Sequence, residues 1–182
     1  MNSILTKSPA GSFLGTTSNS INFYYGISYA EPSGGKERWS LAKKKKEYKH
    51  RNIKGPSSFQ TFFEKSMLFD PTHPEPGEDC LSLNIASPEN AADLPVMIWI
   101  HGGAYLTGSA NGAIYDMESL ASRGVILVTI NYRLGPFGFL KLDEVTNGII
   151  PSTGNEGLLD QRLAIQWVKE NIEAFGGNPE NI

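Results

Sequence analysis

VMIWIHGGAY, residues 96–105, joins a run of five apolar residues to a pair of glycines. A second apolar run, VILVTI at residues 125–130, follows another glycine. Continuous apolar runs of this length are typical of strands that are buried on both faces of a parallel sheet. Residues 115–123, between the two runs, have the length of a short helix. The sequence therefore predicts a β-α-β unit, and such units have a right-handed crossover.

The clearest helix is predicted for residues 156–175, where apolar residues recur at helical spacing along one side. The stripe consists of Ala164, Val168, Ile172 and Phe175. Gly176 and Gly177 are expected to end the helix, and Pro179 prevents its return. Ile182 is then expected to begin another strand, so that the chain stops where a further core strand should enter the sheet.

The N-terminal third has a different character. Residues 11–15 and 21–27 are short, aromatic and bounded by glycine, which indicates the strands of a hairpin. Residues 36–54 are strongly basic; such a tract can bind polyanions or act as a localisation signal. A solvated surface loop is the simpler interpretation, because apolar residues are nearly absent from its middle. Residues 70–79 are rich in proline and predict another loop.

The composition sets limits on the class of protein. With 182 residues, 40% of them hydrophobic and 19% charged, residues 1–182 are expected to form part of one globular domain. The net charge of −3 gives no reason to expect nucleic acid or an anionic membrane as a partner. No apolar run approaches the roughly 20 residues of a membrane helix. The N-terminus lacks the pattern of a signal peptide and Cys80 has no partner, so we expect a cytoplasmic location.

The segment from His101 to Tyr105 is the best candidate for chemistry. Small residues directly after a buried strand let the backbone turn sharply, so that N–H groups point outward instead of joining a ladder. Two such donors can stabilise a developing oxyanion. A tight turn without a ligand is the alternative interpretation.

The other reactive side chains give weaker signals. His101 is either a general base or, more often at a strand end, a structural hydrogen-bonding residue. His50 and His73 lie in polar segments without neighbours at metal-ligand spacing, so no metal is expected. Cys80 has no histidine partner and is expected to be an unreactive thiol. The chain contains no Gly-x-Ser-x-Gly elbow, dinucleotide fingerprint or phosphate-binding loop, and thus no visible nucleophile.

Several longer strings, taken together, resemble the type-B carboxylesterases, the group of the cholinesterases and bacterial para-nitrobenzyl esterases. The matching strings, in order, are EDCLSLNI (residues 78–85), PVMIWIHGGAYLTG (95–108), NYRLGPFGFL (131–140), GNEGLLDQ (154–161) and AIQWVKENIEAFGGNPENI (164–182). The resemblance extends over roughly residues 10–182 and is weakest in the basic stretch.

The resemblance implies the N-terminal portion of an α/β-hydrolase fold, with a β-rich segment before a mostly parallel central sheet. It also implies hydrolysis of a small-molecule carboxylic ester by a serine, a histidine and an acidic residue, without a cofactor. The family's nucleophile elbow, acid and histidine come later in the chain, beyond Ile182, so these 182 residues alone are expected to be inactive. By position, the N–H groups of Gly103 and Ala104 are expected to be two of the oxyanion donors.

Other matches to the family imply structural roles. Arg38 and Glu78 correspond to a family ion pair, and Asn84 and Asn131 are expected to bond the backbone. Tyr105 either lines the acyl pocket or packs in the core.

The departures from the family pattern have structural consequences too. Ser58 stands where many secreted members have the cysteine that pairs with the equivalent of Cys80. Asn178 replaces a common aspartate, which is expected to weaken a salt bridge to Arg133.

Two other functions remain as alternatives. The first is a non-catalytic, cholinesterase-like interaction protein, and the second is an inactive truncated product. The presence or absence of the elbow serine separates the first from an enzyme.

Overall fold

The computed structural model describes residues 2–46, 48–60, 75–112 and 114–182. Its centre is one six-stranded sheet with the strand order β1-β2-β3-β4-β6-β5. The strands are β1 (Asn2–Ser8), β2 (Gly11–Ser18), β3 (Ile21–Ser28), β4 (Ser82–Pro88), β5 (Val96–Ile100) and β6 (Ile126–Ile130). The helices are α1 (Met117–Ala121), α2 (Gly135–Phe139) and α3 (Glu156–Asn171), with 3-10 turns at Gly35–Glu37 and Ile172–Phe175.

The sheet is mixed. Strands β1 to β4 form an antiparallel series, and β4 pairs antiparallel with β6. Strands β5 and β6 are parallel, with Val96 opposite Ile126 and Ile100 opposite Ile130. The predicted β-α-β unit is confirmed, because α1 connects these two strands. The β-rich opening is confirmed as well, although the sequence patterns did not single out β1 or β4.

The prediction that both apolar runs are buried on two faces is correct for β6 and wrong for most of β5. Every residue of β6 is buried, whereas in β5 Trp99 is 41% exposed and Ile100 is 40% exposed. The reason is position, because β5 is the last strand of the described sheet and has a neighbour on one side only along most of its length. The chain's last residues begin to cover the free side, where the Val96 N–H donates to the Asn181 carbonyl at 2.9 Å. Ile182 itself lies in no strand.

The long C-terminal helix is confirmed almost to the residue. Helix α3 and the following 3-10 turn together cover residues 156–175, and Gly176 ends them in the left-handed conformation with φ 86°. The predicted apolar stripe is fully buried and packs on the sheet against residues such as Phe13 and Val128. At the helix start, the buried carboxylate of Glu156 accepts the N–H groups of Thr153 at 2.7 Å and Gly154 at 3.1 Å.

The basic stretch is a loop, apart from the 3-10 turn at its start and an isolated bridge between Ala30 and Lys44. Among the described residues of the stretch, three lysines form ion pairs with carboxylates. These pairs are Lys43–Glu37, Lys44–Glu170 and Lys45–Glu31. The predicted loop conformation is confirmed, while binding of a polyanion stays untested. The proline-rich loop is confirmed for residues 75–79, while residues 70–74, including His73, lie outside the described residues.

Candidate functional site

The glycine pair forms a tight turn at the carboxyl end of β5. Gly103, Ala104 and Tyr105 have φ values of 122°, 54° and 61°, and the Gly103 carbonyl accepts the N–H groups of Leu106 at 3.0 Å and Thr107 at 3.1 Å. A Cβ on Gly103 would lie 2.0 Å from the Thr107 carbonyl oxygen. The turn therefore requires glycine at position 103 for both conformation and space.

The N–H groups of Gly103 and Ala104 have no acceptor among the residues that the structure describes. Ala104 is exposed, Gly103 is partly exposed, and a Cβ on the preceding Gly102 would meet no atom within 4 Å. Two adjacent amides without acceptors in such a turn can donate to an anionic oxygen. Because the backbone on both sides is fixed by hydrogen bonds, these donors need little rearrangement to do so.

The side chain of His101 packs against this turn on its buried side. Its ring is 2% exposed, stacks on Tyr132 with a centroid distance of 4.5 Å, and its Nδ1 lies 3.0 Å from the Gly102 carbonyl oxygen. Burial lowers the pKa of the His101 imidazole, so the ring is neutral and Nδ1 donates to that carbonyl. The Tyr132 hydroxyl donates to the His101 carbonyl at 3.0 Å. These contacts support the structural interpretation of His101 rather than that of a general base.

The far end of the turn is held by Gln60. Its Nε2 donates to the Gly108 carbonyl at 2.9 Å, and its Oε1 accepts the Gly108 N–H at 2.8 Å. A Cβ on Gly108 would lie 2.2 Å from His101 Nδ1 and 2.5 Å from the Gly102 carbonyl oxygen. Gly108, at the end of the turn, therefore packs directly against His101 and Gly102, which precede the unpaired N–H groups of Gly103 and Ala104.

Buried amide side chains fasten the surrounding segments to the sheet. Asn131 accepts the Ala110 N–H at 2.7 Å and donates to the Pro56 carbonyl at 3.2 Å. Asn84 accepts the Gly26 N–H at 2.9 Å and donates to Asn111 Oδ1, also at 2.9 Å. The backbone-bonding roles predicted for Asn84 and Asn131 are thus confirmed.

The expectation of a weakened salt bridge at Arg133 is wrong. Arg133 is 3% exposed, and its guanidinium binds both carboxylate oxygens of Asp160, at 2.8 Å through Nε and at 2.7 Å through Nη2. Asn178 instead accepts the Glu180 N–H at 2.7 Å. The resemblance implied the wrong partner, because α3 places Asp160 beside the end of β6.

Two further predictions from the resemblance agree with the contacts. Arg38 and Glu78 form a pair with two parallel hydrogen bonds, of which the one from Nη2 to Oε2 measures 2.8 Å. Ser58 and Cys80 are buried neighbours that line the same small cavity. Burial raises the pKa of Cys80 to about 12, so this cysteine stays a protonated, inert thiol.

Exposed apolar side chains surround the turn. Tyr105 is 51% exposed and Leu106 is 61% exposed, and the Tyr105 ring contacts that of Phe139 at 4.8 Å. Tyr105 does not pack in the core of the described residues, and its assignment to an acyl pocket stays a prediction. Gln60 lies in none of the sequence motifs, and the motif at residues 131–140 gave Tyr132 no role, since neither pattern nor spacing indicates that these residues meet the turn.

Searches for other kinds of site among the described residues gave two results. His, Cys, Asp and Glu side chains in these ranges form no group of three or more that could hold a metal ion. None of the helices described has the length and apolar character of a membrane-crossing segment.

Comparison with known proteins agrees with the fold and the motifs. Residues 2–182 match the carboxylesterase family. Para-nitrobenzyl esterase of Bacillus subtilis is 39% identical over an alignment of 178 positions that covers 94% of this chain and 35% of that protein. Human bile salt-activated lipase is 42% identical over an alignment of 186 positions that covers 93% of this chain and 22% of the lipase.

Solved structures give the same result. A thermophilic para-nitrobenzyl esterase superimposes with a TM-score of 0.88 at 39% identity, covering 97% of this chain and 37% of that one. The Geobacillus stearothermophilus carboxylesterase EST55 gives a TM-score of 0.85 at 38% identity, covering 98% and 36%. The chain spans about a third of these proteins and has the N-terminal part of the α/β-hydrolase fold. The chain belongs to the carboxylesterase family.

Proposed function

We propose that this chain supplies the oxyanion-binding part of a serine carboxylesterase whose serine, acid and histidine lie outside these 182 residues. The observation that carries the proposal is the pair of adjacent amides at Gly103 and Ala104, which have no acceptor in the described structure and lie in a partly exposed turn. The substrate is a small-molecule carboxylic ester.

In the proposed reaction a serine hydroxyl attacks the ester carbonyl carbon while a histidine takes its proton. The carbonyl oxygen becomes negatively charged in the tetrahedral intermediate, and the N–H groups of Gly103 and Ala104 donate to it. Collapse of the intermediate expels the alcohol and leaves an acyl-enzyme, which water hydrolyses. No step requires a metal or an organic cofactor.

The proposal includes a reducing compartment such as the cytoplasm. Its support is the Ser58–Cys80 contact, because this buried site has one thiol and one hydroxyl where a disulfide would need two thiols.

The test uses the complete protein encoded by the reading frame that contains these residues, with para-nitrophenyl acetate as substrate. We expect Gly103→Pro to lower kcat by a factor of about 100 to 1000, because it removes a donor and cannot adopt the φ of 122°. Gly77→Ala is the matched control and should retain activity, because Gly77 has no positive φ and an added Cβ would approach Pro56 no closer than 3.6 Å.

The 182-residue chain alone serves as the blank and should show no turnover above buffer. The proposal would be contradicted if the complete protein lacked the serine of the Gly-x-Ser-x-Gly elbow. Undiminished turnover by Gly103→Pro would contradict it as well.

A further inference from the structure

We propose that Gln60 is a positioning residue of the esterase, which holds the oxyanion turn in shape through Gly108. This inference rests on the proposed function and adds to it a residue that no motif of the chain includes. Its basis is a pair of hydrogen bonds in which one side-chain amide satisfies both the N–H and the carbonyl of Gly108, at 2.8 Å and 2.9 Å.

The bonds matter because of what Gly108 touches. Gly108 packs against His101 and the Gly102 carbonyl so closely that a Cβ would overlap both. The Gly102 carbonyl is also the acceptor for His101 Nδ1. If Gly108 moved away, the carbonyl that directly precedes the Gly103 N–H would lose its support on that side. The peptide plane of this donor would then be free to rotate.

Gln60 can hold Gly108 only if the segment that carries it is anchored. Residues 55–58, which precede it, are bound to three separate parts of the fold. The Gly55 carbonyl accepts from Asn111 Nδ2 at 2.9 Å, and the Ser57 carbonyl accepts the Gly77 N–H at 2.9 Å. Ser58 Oγ accepts the Leu134 N–H at 3.0 Å.

The amide group is the side chain that suits this task. It offers one donor and one acceptor in a single plane, matching the carbonyl and N–H of one residue. A glutamate keeps the acceptor for the Gly108 N–H but places a second acceptor opposite the Gly108 carbonyl. A leucine of similar size removes both bonds. Gln60 does not reach the free donors itself, so its effect on catalysis must pass through the shape of the turn.

The experiment compares Gln60→Leu and Gln60→Glu in the complete esterase, with Gln166→Leu as the matched control. Gln166 is an exposed glutamine on α3 whose side chain bonds only to Glu170. We expect Gln60→Leu to lower kcat by about tenfold to a hundredfold, as displacements of catalytic groups by about 1 Å do. KM should change less than twofold, since substrate binding precedes oxyanion formation. Gln60→Glu should lower kcat by at least the same factor, and Gln166→Leu should keep the kcat and KM of the wild type.

Two further measurements distinguish a positioning role of Gln60 in catalysis from a purely structural role. A trifluoromethyl ketone places a negatively charged oxygen in the oxyanion site, so its affinity should fall in parallel with kcat, while that of a ground-state competitive ester analogue should not. Hydrogen exchange at the Gly108 amide should become faster in Gln60→Leu. Unchanged kcat and ketone affinity in an active, folded Gln60→Leu enzyme would overturn the inference and leave the proposed function intact. An inactive wild-type enzyme in which Gly108 exchange still depends on Gln60 would contradict the proposed function alone.

Discussion

A single atom at position 58, oxygen or sulfur, decides whether a disulfide with Cys80 can form. The side chains of Ser58 and Cys80 are buried and line the same small cavity. A sulfur atom in place of the Ser58 oxygen would bring two thiols together there.

Ser58→Cys is therefore expected to form a disulfide with Cys80 under oxidising conditions. The crosslink closes a loop of about 22 residues and should stabilise the fold by about 3 kcal/mol, less about 1 kcal/mol for the lost bond to the Leu134 N–H. Thiol titration in denaturant should find no free thiol in the oxidised variant and one in the wild type. Reduction should lower the melting temperature of the variant but not that of the wild type. Two free thiols in the variant after oxidation would contradict the prediction.

The buried histidines are expected to make stability depend on pH. Burial lowers the pKa of both His50 and His101 below the ordinary value of 6.5. The unfolded chain then binds protons more readily than the folded one, so stability is complete above about pH 6.5 and is lost as the pH falls through the folded-state pKa values.

The measurement is the urea midpoint at pH 7.5 and pH 5.5. The midpoint should be lower at pH 5.5 in the wild type, and this decrease should be smaller in His101→Gln, which cannot titrate. His50→Gln gives the corresponding value for the second histidine. A decrease that is equally large in both variants and in the wild type would show that other groups cause it.

Helices and strands in this chain are joined by a few buried polar contacts in addition to apolar packing. The strongest is between the end of β6 and α3, where Arg133 and Asp160 form two parallel hydrogen bonds while only 4% and 0% of their side chains are exposed. Asp160 also accepts the Arg133 N–H at 3.1 Å. The pair thereby fixes the helix against the segment that leads from β6 to α2.

Asp160→Ala is expected to destabilise the chain by about 3–5 kcal/mol, because it leaves a buried guanidinium without its counter-charge. The matched control is Glu144→Ala, which breaks the exposed ion pair with Lys141 and should cost less than about 1 kcal/mol. Urea titration followed by tryptophan fluorescence measures both variants; of the three tryptophans, Trp167 lies on α3 and is 1% exposed. Equal midpoints for the two variants would mean that the buried pair is not the main connection between these elements.

For the whole molecule, the free edge at β5 is the dominant feature. The strand has open backbone positions along most of its outer side, and the apolar side chains of Trp99, Ile100 and Leu106 are exposed near it. Unprotected edges of this kind pair with other chains, and exposed apolar patches associate. We expect the 182-residue chain by itself to form oligomers and to bind the dye ANS.

Leu106→Lys should reduce this association, which light scattering after gel filtration can measure over a range of concentrations. Ile149→Lys is the matched control, because Ile149 is 85% exposed and belongs to a loop away from β5. A monomer with a sharp unfolding transition at high protein concentration would show that the edge is already adequately covered.

Local patterns in the sequence were sufficient for the elements whose residues interact mainly with neighbours along the chain. The stripe from Ala164 to Phe175 and the glycine at position 176 predicted α3 and its end, because helix periodicity and termination depend on nearby residues. The turn at residues 101–105 was predicted for the same reason, since a strand followed by two glycines can hardly continue as a strand. Longer motifs indicated the family, and with it Gly103 and Ala104 as donors.

The tertiary structure decided everything that depends on which distant segments meet. Asp160 rather than residue 178 pairs with Arg133, β5 rather than β6 is the edge strand, and Gln60 reaches Gly108 across 48 positions of the chain. A sequence shows which side chains can donate, accept or be buried, but partners far apart in the chain are chosen by the packing of the sheet and helices. For that reason the turn at residues 101–105 could be predicted from the sequence, whereas the bonds of Gln60 to Gly108 at its far end could not.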